Sequence, residues 1–141
     1  MPPQARAGAP LGHDFCALSL SDNLKPWDII ERRLDLAAAA DLVLALYNPA
    51  SRARPWQIER AIDIIRRHRD PATPIVIARN VARHDEIVRV VRLADFPHGD
   101  IDMRTILIVG SSTTRTFPRT AGGQWTYTPR RYGDGPQSQG G

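Results

Sequence analysis

Four polar clusters, each following an apolar run, hold most of the side chains that could do chemistry. They are Ser19-Leu20-Ser21-Asp22, the stretch from Tyr47-Asn48-Pro49 through Ser51, Arg52 and Arg54, Arg79-Asn80-Val81-Ala82-Arg83, and Gly110-Ser111-Ser112-Thr113-Thr114. Hydroxyls, amides and guanidiniums hydrogen-bond a polar ligand without filling the space it needs, so these clusters suit binding and positioning more than bond breaking. The same residues are also what turns are made of, and each cluster alone reads as a turn more readily than as a site, whereas the four together read as either. Other chemistries lack their partners. His13, His68, His84 and His98 fall in separate segments with neither paired-histidine nor cysteine spacing, which gives no zinc site. No serine elbow of a hydrolase and no Gly-Lys-Ser phosphate loop is present. The single cysteine, Cys16, lies in the apolar run Phe15-Cys16-Ala17-Leu18 and reads as core.

The elements that must position these clusters follow from hydrophobic period. Phe15 to Leu20 reads as a short buried strand. Pro26 suits the first position of a helix whose apolar face is Trp27, Ile30, Leu34, Ala37 and Ala38, with Asp41 ending the alanine run. Leu42 to Tyr47 is an unbroken apolar run, the texture of a central strand covered on both faces. Pro55 opens a second helix with the stripe Ile58, Ala61, Ile62 and Ile65, and Arg66, Arg67 and Arg69 complement its dipole before Pro71. Pro74 to Ala78, a half-exposed Glu86 to Leu93 and Arg104 to Val109 supply further strands. Gly122-Gly123 reads as a hairpin turn. The sum is an α/β domain, a mixed sheet flanked by helices, in which ligands collect beyond the carboxy ends of strands.

At 141 residues and 42% hydrophobic content the chain supports one domain, here 11–132, with a flexible lead-in at 1–10 and a disordered tail at 133–141. Its apolar runs are far shorter than the roughly 20 residues of a membrane span, and no charged start leads into a signal core, so a soluble cytoplasmic protein is expected with no membrane partner. The net charge of +4 favours an anionic partner. Aromatics are only 6% and the arginines lie at scattered junctions, which argues against nucleic acid.

The ordered set Ala7-Gly8-Ala9 to Phe15, Ser19-Leu20-Ser21-Asp22 with Pro26-Trp27, Leu46-Tyr47-Asn48-Pro49 with Ser51 and Arg54, Arg79-Asn80 with Arg83, Ile108-Val109-Gly110 with Ser112 and Thr114, and Thr128-Pro129-Arg130 with Tyr132 resembles the tetrapyrrole methylase family. Within it the set is similar to the branch that methylates carbon 17 of precorrin-3B. The resemblance spans residues 8 to 132, and its Ser-Leu-Ser-Asp and Tyr-Asn-Pro pieces are fairly specific to that branch. It implies the second domain of the tetrapyrrole methylase fold, with the family's first domain expected as a missing partner. It also implies methyl transfer from S-adenosylmethionine with ring contraction in cobalamin (vitamin B12) synthesis, and a homo-oligomer. By motif position Asn48, Val76 and Val81 would contact the methyl donor, while Arg52, Arg54, Arg79 and Arg83 would meet substrate carboxylates, the same on cobalt-free and cobalt-loaded macrocycles. No general acid or base is assigned.

Departures from the family pattern are Lys25 where a capping threonine is frequent, Val81-Ala82 where a glycine is common, and Arg131 in place of a glycine. The isolated chain is expected to be inactive and prone to self-association. Two other readings stand beside this one. A different methylase of the same fold, another precorrin methylase or a ribosomal-RNA ribose methylase, is opposed by Tyr47-Asn48-Pro49; a non-catalytic interaction domain would bind neither S-adenosylhomocysteine nor tetrapyrrole.

Overall fold

The structure, a computed structural model, describes residues 8–9, 14–49, 56–97, 99, 101–118 and 124–127. Along the chain run β1 (Gly8–Ala9), β2 (Phe15–Ser19), α1 (Trp27–Ala39), β3 (Val43–Tyr47), α2 (Trp56–Arg66), β4 (Pro74–Arg79), β5 (Ile87–Arg92), a 3-10 turn (Leu93–Asp95), β6 (Thr105–Val109), β7 (Arg115–Pro118) and β8 (Gln124–Tyr127). A five-stranded sheet has the order β2-β3-β6-β4-β5, and a small sheet the order β1-β8-β7. Only β2 and β3 pair in parallel within the large sheet; β6 runs antiparallel to both β3 and β4, and β5 antiparallel to β4. The mixed sheet flanked by helices is thus as the sequence reads. The apolar run ending at Tyr47 is an internal strand, but the middle of the sheet is β6, because β3 pairs outward with β2. Val88 and Val90 on the edge strand β5 are half-buried while Ile87 and Arg89 are exposed, the alternation of a one-faced strand.

Both helices cover one face. Ile30, Leu34, Ala37 and Ala38 of α1 and Ile58, Ala61, Ile62 and Ile65 of α2 pack with Leu44, Leu46, Ile75, Ile77, Leu107 and Val109 of the strands. The opposite face is a smaller cluster of Val43, Val76 and Ile108 with Val88 and Val90. Alternation of side chains across the pleat explains the division, since residues two apart along β3, β4 and β6 share a face. Trp27 and Trp56 meet edge to face at 5.0 Å where the helices begin. Glu31 accepts hydrogen bonds from Trp27 Nε1 at 2.8 Å and from Arg60, tying the two helices together. The Arg60 hydrogen bond holds the Glu31 carboxyl below its ordinary range.

Two local details differ from the sequence reading. Pro26 precedes α1 instead of starting it: its ψ of 149° is extended, and its carbonyl accepts the Ile29 N–H. Arg69 is not a solvated charge at a helix end. It is buried, and its guanidinium donates to the carbonyls of Gly110, Ala38 and Leu42, with Nε 4.0 Å from Asp41. Burial lowers its pKa and Asp41 partly restores it, which leaves a group with so high an intrinsic pKa protonated. Asp41 itself terminates α1 in a Schellman arrangement, its N–H bonding Ala38 and that of Leu42 bonding Ala37, with a positive φ of 62°.

No helix among the described residues is long and apolar enough to cross a membrane. The segments 1–7 and 133–141, Gly122-Gly123, Pro55, His13 and His98 lie outside the described residues.

Candidate functional site

Strand direction decides which polar clusters meet. Because β6 is antiparallel to both β3 and β4, those two strands point the same way, and Tyr47, Ile106 and Ala78 stand level across the sheet. With two strand spacings of roughly 5 Å between β3 and β4, Asn48 and Asn80 leave the same edge about 10 Å apart. Ser19 joins them, since β2 is parallel to β3 with Ser19 opposite Tyr47. Three of the four clusters therefore share one rim. The fourth does not: Gly110 to Thr114 follows the antiparallel β6 and lies at the far end. There Ser112 donates from its N–H to Asp41 at 2.8 Å, Ser111 N–H donates to Thr114 Oγ1 at 2.8 Å, and Arg69 binds the Gly110 carbonyl. A Cβ on Gly110 would sit 2.7 Å from that of Thr114, so the glycine is there for room. This cluster is structural.

The rim is organised by short side-chain contacts. Asn48 Nδ2 donates to Ser19 Oγ at 3.2 Å, and the same oxygen accepts the Ser21 N–H at 3.2 Å. Buried Gln57, in the first turn of α2, donates to Asp22 at 3.0 Å and holds the Ser21-Asp22 loop. Asn80 is buried; its N–H bonds the Arg104 carbonyl and its Nδ2 donates to Asp85 at 3.1 Å. Its Oδ1 is buried without a hydrogen-bond partner among the described residues. Asn48 and Asn80 both have φ of 54°, the left-handed region that asparagine tolerates best after glycine. Turn geometry alone thus accounts for the residue type at both positions, and the unpaired Oδ1 is what exceeds it.

The remaining expected site residues divide. Val81 is half-buried on this rim, in a turn closed by the Arg83 N–H on the Asn80 carbonyl. Val76 is fully buried in the middle of β4, in the cluster with Val43 and Ile108, and does not reach the rim. Arg79 pairs with Asp102 at 2.7 Å, and exposed Arg83 lies 3.9 Å from Asp85. Arg52 and Arg54 lie outside the described residues. Sequence reading missed Asp102 and Asp85, whose signal is that the antiparallel strands β6 and β5 start where β3 and β4 end.

Ala82 occupies the third position of the Asn80–Arg83 turn with φ of 66°, where glycine is favoured. Left-handed alanine costs roughly 1–2 kcal/mol, and glycine recovers part of it against a larger unfolded-state entropy. Ala82→Gly is expected to stabilise by about 0.5–1 kcal/mol, read from the midpoint of urea unfolding; a lower midpoint would contradict the turn.

The family model for tetrapyrrole (corrin/porphyrin) methylases matches residues 4–97, more than half of the chain. The chain belongs to the tetrapyrrole methylase family. It is 54% identical over 132 residues to the cobalamin biosynthesis protein CobIJ of Mycobacterium tuberculosis, covering 91% of this chain and 26% of that protein. It is 49% identical over 133 residues to a precorrin-3B C(17)-methyltransferase from Sinorhizobium, covering 94% and 52%. A crystal structure of the methyltransferase CobJ superposes with a TM-score of 0.82 at 46% identity, covering 90% of this methylase chain and 51% of the solved one. The chain therefore spans about half or less of the relatives it matches, and its mixed five-stranded sheet is the family's fold.

Proposed function

We propose that this methylase chain forms one wall of an S-adenosylmethionine-dependent methyltransferase of cobalamin synthesis, acting at carbon 17 of precorrin-3B with contraction of the ring. The observation that carries the reading is the 49% identity, over 94% of the chain, to a precorrin-3B C(17)-methyltransferase. Conservation of fold at that level leaves strand ends in place, and strand ends are where this family's site lies in the proposal.

The residues present fit a nucleoside-like donor. The buried, unpaired Oδ1 of Asn80 calls for an N–H or O–H from a ligand, and Asn48, steadied by Ser19, stands across the rim from it. In the proposal Asn48 and Val81 line the donor pocket, and Val76 supports β4 from below. S-adenosylmethionine, when bound, supplies a methyl group already activated on sulfonium. The protein's work is then alignment and exclusion of water, worth roughly 7–11 kcal/mol in favourable cases. Arg79 and Arg83, together with Arg52 and Arg54 beyond Asn48, offer guanidiniums to the acidic periphery of the macrocycle, bidentately where geometry allows. A first domain and a second copy of the chain complete the cleft in this proposal. Phe15 and Tyr47, exposed on the sheet face opposite the helices, suit such contacts.

The test is incubation with labelled S-adenosylmethionine and precorrin-3B, alone and with the first half of a relative supplied in trans. Turnover is expected only with the completed cleft. Turnover by the chain alone as a monomer would contradict the two-part site, and no turnover by a completed cleft that binds both ligands would contradict the reaction.

A further inference from the structure

An open groove of about 350 Å³ lies on β4 and β5, lined by Ile77, Arg79, Ile87 and Arg89. Across the antiparallel ladder Ile77 stands opposite Arg89, and Arg79 opposite Ile87. The four side chains therefore form a square on one face of the sheet, with guanidiniums on one diagonal and isoleucines on the other. Diagonal neighbours in such a pair are roughly 7–8 Å apart, within reach of two arginines that converge on one small anion.

Two further observations point to an anion. Arg89 is exposed, and its side chain has no ion pair or hydrogen bond among the described residues. Arg79, although its Nη2 is paired with Asp102, keeps its Nε buried without an acceptor. Two cations facing one groove repel each other, and a carboxylate between them turns that repulsion into two charge-assisted hydrogen bonds. The isoleucines add an apolar floor and wall: Ile77 is 4% exposed, whereas Ile87 at the sheet edge is 55% exposed. A carboxylate on a short apolar stem matches this square better than a phosphate or a bare inorganic anion, which would leave the isoleucines uncovered.

We propose that this groove receives an acid side chain of the substrate, its carboxylate bridging Arg79 and Arg89 and its methylene stem lying on Ile77 and Ile87. The assignment rests on the proposed reading of the site as a tetrapyrrole methylase cleft. It makes Arg89, on a strand outside the rim, a substrate-positioning residue.

The experiment is a fluorescence titration of the whole chain with a porphyrin octacarboxylate, using hexanoate as competitor and S-adenosylhomocysteine as an independent ligand. Arg89→Ala is expected to weaken porphyrin binding by about tenfold or more, since a hydrogen-bonded charge is worth at least one such factor. Arg89→Lys should regain part of it, Ile87→Ser should weaken it by a smaller factor, and hexanoate should displace the porphyrin. S-adenosylhomocysteine affinity should not move in any of these variants. Both positions are exposed on an edge strand, and circular dichroism verifies the fold. Equal porphyrin affinity in the Arg89→Ala variant, absence of porphyrin binding, or hexanoate that binds without displacing porphyrin would each overturn the proposal. Arg89-dependent porphyrin binding without any affinity for S-adenosylhomocysteine would leave the groove standing and count against methyl transfer; the reverse pattern would do the opposite.

Discussion

Arg69→Ala is expected to cost about 3–5 kcal/mol of folding stability, because buried carbonyls left without a donor cost roughly 1–3 kcal/mol each. Arg69 reaches three of them, at the end of α1, the start of β3 and the end of β6. The Ala38 carbonyl keeps the Asp41 N–H, so the loss falls on Leu42 and Gly110, with a further share from the packing of the arginine stem. Domains of this size have total stabilities of only about 5–15 kcal/mol, so a loss of this magnitude takes a large fraction. Lysine cannot reproduce the planar fork, and Arg69→Lys should recover less than half. Urea unfolding followed by circular dichroism measures both. A change below about 1 kcal/mol for the alanine variant, the size of an ordinary exposed ion pair, would contradict the buried role.

The second large effect concerns binding. Asn80→Gly is expected to lower affinity for S-adenosylhomocysteine by about tenfold or more, by removing a buried acceptor that a ligand donor would otherwise satisfy. Glycine is the informative replacement because it accepts the positive φ of this residue, whereas alanine would add backbone strain. Asn48→Gly should act in the same direction through loss of the contact with Ser19. Ser112→Ala, at the far end of the sheet, is the control and should leave affinity unchanged. Calorimetric titration reads all three, and a folded Asn80→Gly variant that binds as tightly as the parent would contradict the assignment.

Much of the fold was legible in the sequence, since period-two and period-3.6 patterns are strong between Phe15 and Val109. The stripe Ile58, Ala61, Ile62, Ile65 is buried as read; of the apolar run before Asn48, Val43, Leu44 and Leu46 are buried, whereas Tyr47 at its end is exposed. What the pattern could not carry was strand direction. An apolar run such as Thr105 to Val109 looks the same whichever way it is traversed, and only the pairing of β6 with β3 and β4 shows that Gly110 to Thr114 lies away from Asn48. Arg69 was misread for a related reason: an arginine beyond a helix end looks solvated until the carbonyls that surround it are known. Gly122-Gly123, read as a hairpin turn, falls in the sequence between the paired β7 and β8, but the two strands themselves escaped notice because Arg115–Pro118 and Gln124–Tyr127 are short and mixed in polarity. The family resemblance supplied Asn48 and Val81, which strand-end reasoning alone placed only within a junction; Val76 came from resemblance too, and it lies below the rim.

Ligand binding is proposed at one end of the sheet, at Asn48 and Asn80 to Arg83. At 141 residues the chain suits amide-resolved nuclear magnetic resonance, and titration with S-adenosylhomocysteine reads that end residue by residue. The largest shifts are expected at Tyr47, Asn48 and Asn80 to Arg83, with Ser111 to Thr114 unmoved. Shifts concentrated at Ser111 to Thr114, or saturation with no shift at Asn48 and Asn80, would contradict it.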